Sequence, residues 1–64
     1  MINADRRPPA LYTHIKSGKI YTLLMVANQH SDRPEFPPTA IYSDEDGNLW
    51  SRPLDEFKAK FNKH

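Results

Sequence analysis

The run Ile20–Ala27, IYTLLMVA, constrains this chain more than any other stretch. It is apolar at both odd and even positions and offers no polar stripe to water. In an extended strand, successive side chains point to opposite faces. Ile20, Leu24 and Val26 then share one side, and Tyr21, Leu23, Met25 and Ala27 the other. Such a strand is expected at the centre of a sheet, covered on both faces. A buried helix fits the same short run; the neighbouring β-branched and aromatic residues favour the strand.

Covering two faces is demanding for 64 residues, because a chain this short buries only a modest fraction of its surface. There are no cysteines, which excludes disulfides and thiolate metal sites and fits a reducing compartment. Two solutions remain: a single-layer core, or a homo-oligomer that buries a sheet face. The net charge is +1, with both signs mixed along the chain and no basic stripe of the kind a dedicated DNA binder carries. The apolar run is far too short to span a bilayer, and no apolar signal region follows Arg6 and Arg7. A cytoplasmic protein without membrane association is expected, as a monomer or small homo-oligomer.

Residues 1–10, with adjacent Pro8 and Pro9, are expected to form a flexible arm, and residues 11–64 a single domain. Leu11, Thr13 and Ile15 alternate with Tyr12, His14 and Lys16, the period of a half-buried strand. KSGK then supplies a turn through Gly18 into the 20–27 strand. The polar, proline-rich stretch 28–38 reads as a loop. Residues 39–43 and 49–52 read as a second hairpin around DEDGN, residues 44–48. A helix is expected over 53–62, with Pro53 in its first turn, Ser51 or Asp55 as cap, and Leu54, Phe57, Lys58 and Phe61 on one face. Asp55 and Glu56 near its start and Lys58, Lys60 and Lys63 near its end suit the helix dipole. Glu56 and Lys60 have the spacing of a weak ion pair, worth about 0.3 kcal/mol. The order β-β-loop-β-β-α predicts a mostly β, α+β domain: a small bent antiparallel sheet or SH3-like half-barrel of about four strands, closed by a short C-terminal helix.

The chain resembles a family of short single-domain bacterial and phage proteins of unknown function. Their pattern, H-x-K-G-x-x-Y, A-x-H-S, a V-V-Y-like strand and W-x-R-P-L-x-x-F, is met here in four blocks. The first is His14, Lys16, Gly18 and Tyr21; the second Ala27, His30 and Ser31; the third Ala40, Ile41 and Tyr42. The last, Trp50, Arg52, Pro53, Leu54 and Phe57, is the most specific. Ser17 is inserted between Lys16 and Gly18, and one of Asn28 and Gln29 is extra before His30. The resemblance spans residues 11–61 and implies a mostly β domain; it implies no activity.

Trp50 and Arg52 are two apart, so a regular strand places both on one face. A core Trp50 would take Arg52 inward, and an unpaired buried guanidinium is costly. Either the strand breaks at Ser51, or Arg52 clamps a nearby carboxylate or carbonyl, or the two line a groove for an anionic or aromatic ligand. Tyr12, His14 and Lys16 share a strand face that is either a plain polar surface or part of that groove. In the second case Trp50 would stack on a nucleotide or nucleic acid base, Arg52 and Lys16 would hold phosphate, and His14 would donate a hydrogen bond. His14, His30 and His64 match no zinc spacing, and DEDGN fails the register of a calcium loop. No cofactor motif is present; Gly18 and Gly47 are the only glycines. No serine has a nucleophile motif around it, and His30–Ser31–Asp32 has triad residue types without triad geometry. The expectation is therefore a non-enzymatic binding module for an anionic ligand. Its rival is a protein-interaction or structural module acting through Arg33, Phe36 and Pro37 of the proline-rich loop or through a sheet edge. A small hydrolase is the third and weakest reading.

Overall fold

The computed structural model describes residues 10–64. The arm expected over residues 1–10 lies outside them except for Ala10, which is the first residue of a strand. The elements are β1 (Ala10–His14), β2 (Ile20–Ala27), β3 (Thr39–Ser43), β4 (Leu49–Pro53), α1 (Leu54–Lys60) and β5 (Phe61–Lys63). They form one antiparallel sheet in the order β4-β3-β2-β1-β5. The apolar run is a strand and lies third of five, as its composition requires.

The two hairpins turn where the glycines allow it. Gly18 and Gly47 have φ of 75° and 85°, a region that costs other residues conformational energy. Asn28 ends β2 in the same region at φ 60°, which a short polar side chain tolerates. Its amide donates to the Pro37 carbonyl at 3.2 Å, tying the two ends of the proline-rich loop together.

The C-terminal segment departs from the sequence expectation. The helix is seven residues long and stops at Lys60, because Phe61 adopts extended backbone and pairs with His14 across the free edge of β1. Phe61 and Asn62, expected as helix, form a fifth strand together with Lys63. Pro53 precedes the helix at φ −52°, ψ 141°. Neither Ser51 nor Asp55 caps it; the Leu54 N–H donates to the Pro38 carbonyl at 2.8 Å. The first helical donor is thus satisfied by the loop rather than by a side chain.

Both β4 and β5 run parallel to β2, at opposite edges of the sheet, and α1 connects them across one face. In a flat sheet these edges would stand about 19 Å apart, more than the roughly 10 Å length of a seven-residue helix. The Arg52 guanidinium on β4 nevertheless lies 5.9 Å from the centre of the Phe61 ring on β5. The sheet must curl around α1, which makes it a half-barrel with α1 on its inner side.

The inner face is aromatic. Phe57 and Phe61 stack at 4.3 Å, and Tyr42 packs on them at 5.1 and 5.2 Å. Tyr12 meets Phe57 at 5.0 Å, and Tyr21 meets Phe61 at 5.3 Å. Ala40, Tyr42, Phe57 and Phe61 are buried, with Leu23 and Leu54 packed alongside. A bulge between Leu23 and Met25 changes the faces of β2. Val26, opposite Ala40, joins Tyr21 and Leu23 inside; Met25, opposite Ile41, joins Ile20 outside. The simple alternation expected for the run therefore holds only as far as Leu23. Among the described residues it is also covered on one side alone, since α1 packs only on the inner face.

Phe57 is 1% exposed and touches three strands. Phe57→Ala is expected to remove about 3–5 kcal/mol, comparable with what a core this small supplies in total. Urea titration followed by circular dichroism should show no cooperative transition for this variant at 25 °C; a preserved transition would contradict the packing described.

Candidate functional site

Tyr12, His14, Trp50 and Arg52 all lie on the inner face, as the register of β1 and β4 dictates. They do not form one open cationic surface. Tyr12 packs edge-on to Phe57. His14 lies 5.0 Å from the Phe61 ring centre, and its Nδ1 is 2.8 Å from the Ser17 hydroxyl. Lys16 stands exposed in the turn after β1. The face expected to be polar is thus the one that meets the helix, because its polar side chains are mostly rings whose flat surfaces bury well.

Arg52 is a clamp. Its Nε donates to the Tyr42 hydroxyl at 2.9 Å and its Nη1 to Glu56 at 3.0 Å. These groups hold its guanidinium above the ordinary arginine value, the Tyr42 hydrogen bond first and the Glu56 charge after it, against the opposing effect of burial. Glu56 therefore pairs with β4 and not with Lys60. Trp50 is not core: it is 51% exposed on the edge strand β4. Its indole N–H donates to Asp44 at 2.9 Å. The Asp44 carboxylate also accepts from the backbone N–H groups of Asp46 and Asn48, both at 2.9 Å, and from the Asn48 amide. DEDGN is thus organised around its first aspartate as a turn. Asp44 is held below the ordinary 3.8, chiefly by the Trp50 indole, with the Asn48 and Asp46 donors adding to it against burial.

A shallow cleft between the two hairpin turns is lined by Lys19, Tyr21 and Asp44–Asp46. Its charges are of both signs, which suits no single ion. In the proline-rich loop, Arg33 pairs with Glu35 at 3.2 Å and lies over Phe36, 5.9 Å from the ring centre. Phe36 is exposed, and Pro37 is engaged through its carbonyl by Asn28 and Thr39. This loop is ordered by its own contacts and remains accessible. Ser31 bonds within the loop, to Asn28 and Arg33, and not to His30. Among the described residues no three His, Cys, Asp or Glu side chains come together as metal ligands, and no helix is long and apolar enough to cross a membrane.

The outer face carries none of the sequence-predicted site residues. One row runs Leu11–Thr22–Ser43–Leu49 across four strands; another runs Met25–Ile41–Ser51; Thr13 stands between Ile20 and Asn62. Ala27, Thr39 and Pro53 complete the face at the end nearer the helix start. No outward position of the described strands carries a charged residue. Met25 is 60% exposed and Leu49 67%, with Leu11 and Ile15 also open to solvent. At the β5 margin, His64 Nδ1 lies 3.2 Å from the Thr13 hydroxyl. The alternation of Leu11, Thr13 and Ile15 was the available signal, but it read as the buried side of the strand.

No protein-family model, curated protein or solved structure matches the chain.

The Asp44 geometry has a consequence for pH. Its folded-state value is lowered, so its contribution to stability is fully present above the unfolded value near 3.8 and is lost as pH falls through the lower folded value. A carboxyl titration by NMR should place Asp44 below 3.8, and Trp50→Phe should return it toward that value; an unmoved titration would show that the indole is not its partner. For the clamp, Arg52→Ala leaves a hydroxyl and a carboxylate without their donor, and is expected to cost about 1–3 kcal/mol in urea denaturation. Glu56→Gln, at a more exposed position, should cost less than about 1 kcal/mol.

Proposed function

We propose that this protein is a non-enzymatic interaction module that engages a macromolecular partner through the outer face of its sheet. The supporting observation is the composition of that face: 27% of the chain is charged, yet no outward strand position is. An antiparallel sheet left to water normally alternates apolar-in with polar-out. Here the aliphatic side chains Leu11, Met25 and Leu49 are turned to solvent while tyrosines fill the interior. An uncharged face with several aliphatic side chains open to solvent, on a protein this small, points to an association surface. This reading moves the interaction surface from the proline-rich loop and the strand edges to the sheet itself. The edges are poor candidates, since β5 is only three residues long and β4 ends in Pro53.

An anionic-ligand module is the second reading, favoured by the half-exposed Trp50 indole standing on the same face as Arg52. It ranks lower because Glu56 already neutralises the guanidinium, and a phosphate would have to displace it. A cytoplasmic location and kinship with the short bacterial and phage proteins that the chain resembles are part of the same proposal, and neither adds an activity.

The interaction reading is tested with a photo-crosslinking amino acid placed at Leu49, on the outer face, or at Lys58, on the exposed side of α1. Irradiation of cells producing each variant should yield cross-linked products from position 49 and none above background from position 58. No product from position 49 would sink the proposal.

A further inference from the structure

The occupant of the outer face follows from its chemistry. We infer that it is a second copy of this chain, docked sheet on sheet about a two-fold axis, and this inference rests on the reading of that face as an interaction surface.

A two-fold interface brings the same patch of each subunit together, so the patch must be complementary to itself. A charged patch rarely satisfies that condition, because residues near the axis meet their own copies and like charges repel. The outer face meets it completely: its rows hold aliphatic residues, threonine, serine and asparagine, and no ionised strand side chain has to be desolvated when two faces meet. Its hydroxyls can each donate and accept, so identical hydroxyls brought together need not clash in polarity. A partner chosen by charge would find no counter-charge here. The charged residues among the described ones lie instead in the turns, the proline-rich loop, the helix and the inner rim.

The size of the face sets the strength of the contact. Laid flat, five strands of about five residues would cover roughly 24 by 17 Å, and two such faces would bury at most about 1,000 Å² in total; the convex outer side of a curled sheet buries less. That is below the range of stable interfaces, so a weak, reversible dimer is expected rather than an obligate one. The curl of the sheet concentrates contact on β2 and its neighbours, where Met25 and Ile41 stand side by side. The need for cover is independent of these counts. Among the described residues only Ala40, Tyr42, Phe57 and Phe61 are buried, and dimerisation would shield both faces of the central strand.

The test uses the full-length protein and charges placed at Met25, which is 60% exposed and can accept them without disturbing the core. In sedimentation equilibrium from about 1 μM to 1 mM, a range that brackets a weak reversible complex, the wild-type mass should rise from one to two subunits. Met25→Glu and Met25→Lys should each weaken this association at least about tenfold, since each places like charges near the axis. An equimolar mixture of the two variants should associate again, because opposite charges then face each other. Circular dichroism identical to wild type confirms that neither variant has unfolded. A wild type that stays a monomer throughout, a dimer indifferent to either charge, or a mixture that fails to recover would each overturn the inference. If a monomer still gives cross-links from position 49 to another protein, the interaction surface stands and only its occupant is wrong.

Discussion

The stacked pair Phe57–Phe61 is the contact on which the rest of the structure depends. One ring belongs to the helix and the other to β5, yet they stack at 4.3 Å, because the chain turns from helix to strand between them. Tyr42, Tyr21 and Tyr12 then close around the pair from three strands. Edge-to-face contacts between such rings add directional preference to area burial. They fix the crossing of α1 over the sheet and, through it, the curl that brings β4 toward β5.

An aromatic interior has a cost in polarity that the structure meets locally. The Tyr42 hydroxyl, carried inward with its ring, accepts from Arg52, and Arg52 in turn holds Glu56 on the helix. The guanidinium thus serves one buried oxygen and one exposed carboxylate, and joins β3, β4 and α1. Among the described residues no buried side-chain polar atom is left without a partner. The arginine that looked most like a ligand-binding group is occupied in holding the fold.

The same choice of rings for the interior displaces the aliphatic side chains to the other face. Among the described residues only one side of the sheet is covered, and the other side is left uncharged, with Leu11, Met25 and Leu49 open to solvent. That asymmetry is the basis for placing function on the outer face, and for reading the molecule as one half of a two-sided arrangement.

The amino-acid sequence is enough to order the first five elements, to place Ile20–Ala27 at the centre, to locate both hairpin turns and to put a helix after Pro53. Those follow from local rules: parity of apolar residues, positive-φ glycines and proline's missing donor. It also confined Arg52 to a small set of roles, one of which is the clamp observed. Tertiary structure alone decided which face of each strand is inner. Tyr12–His14 and Leu11–Ile15 alternate equally well, and only the position of the helix and its phenylalanines selects the rings. It alone decided the bulge after Leu23, the solvent-facing edge position of Trp50, and the end of the helix at Lys60. A helix-compatible segment becomes a strand when a neighbouring strand offers it unpaired backbone groups, and no local pattern in 61–63 records that β1 would be beside it.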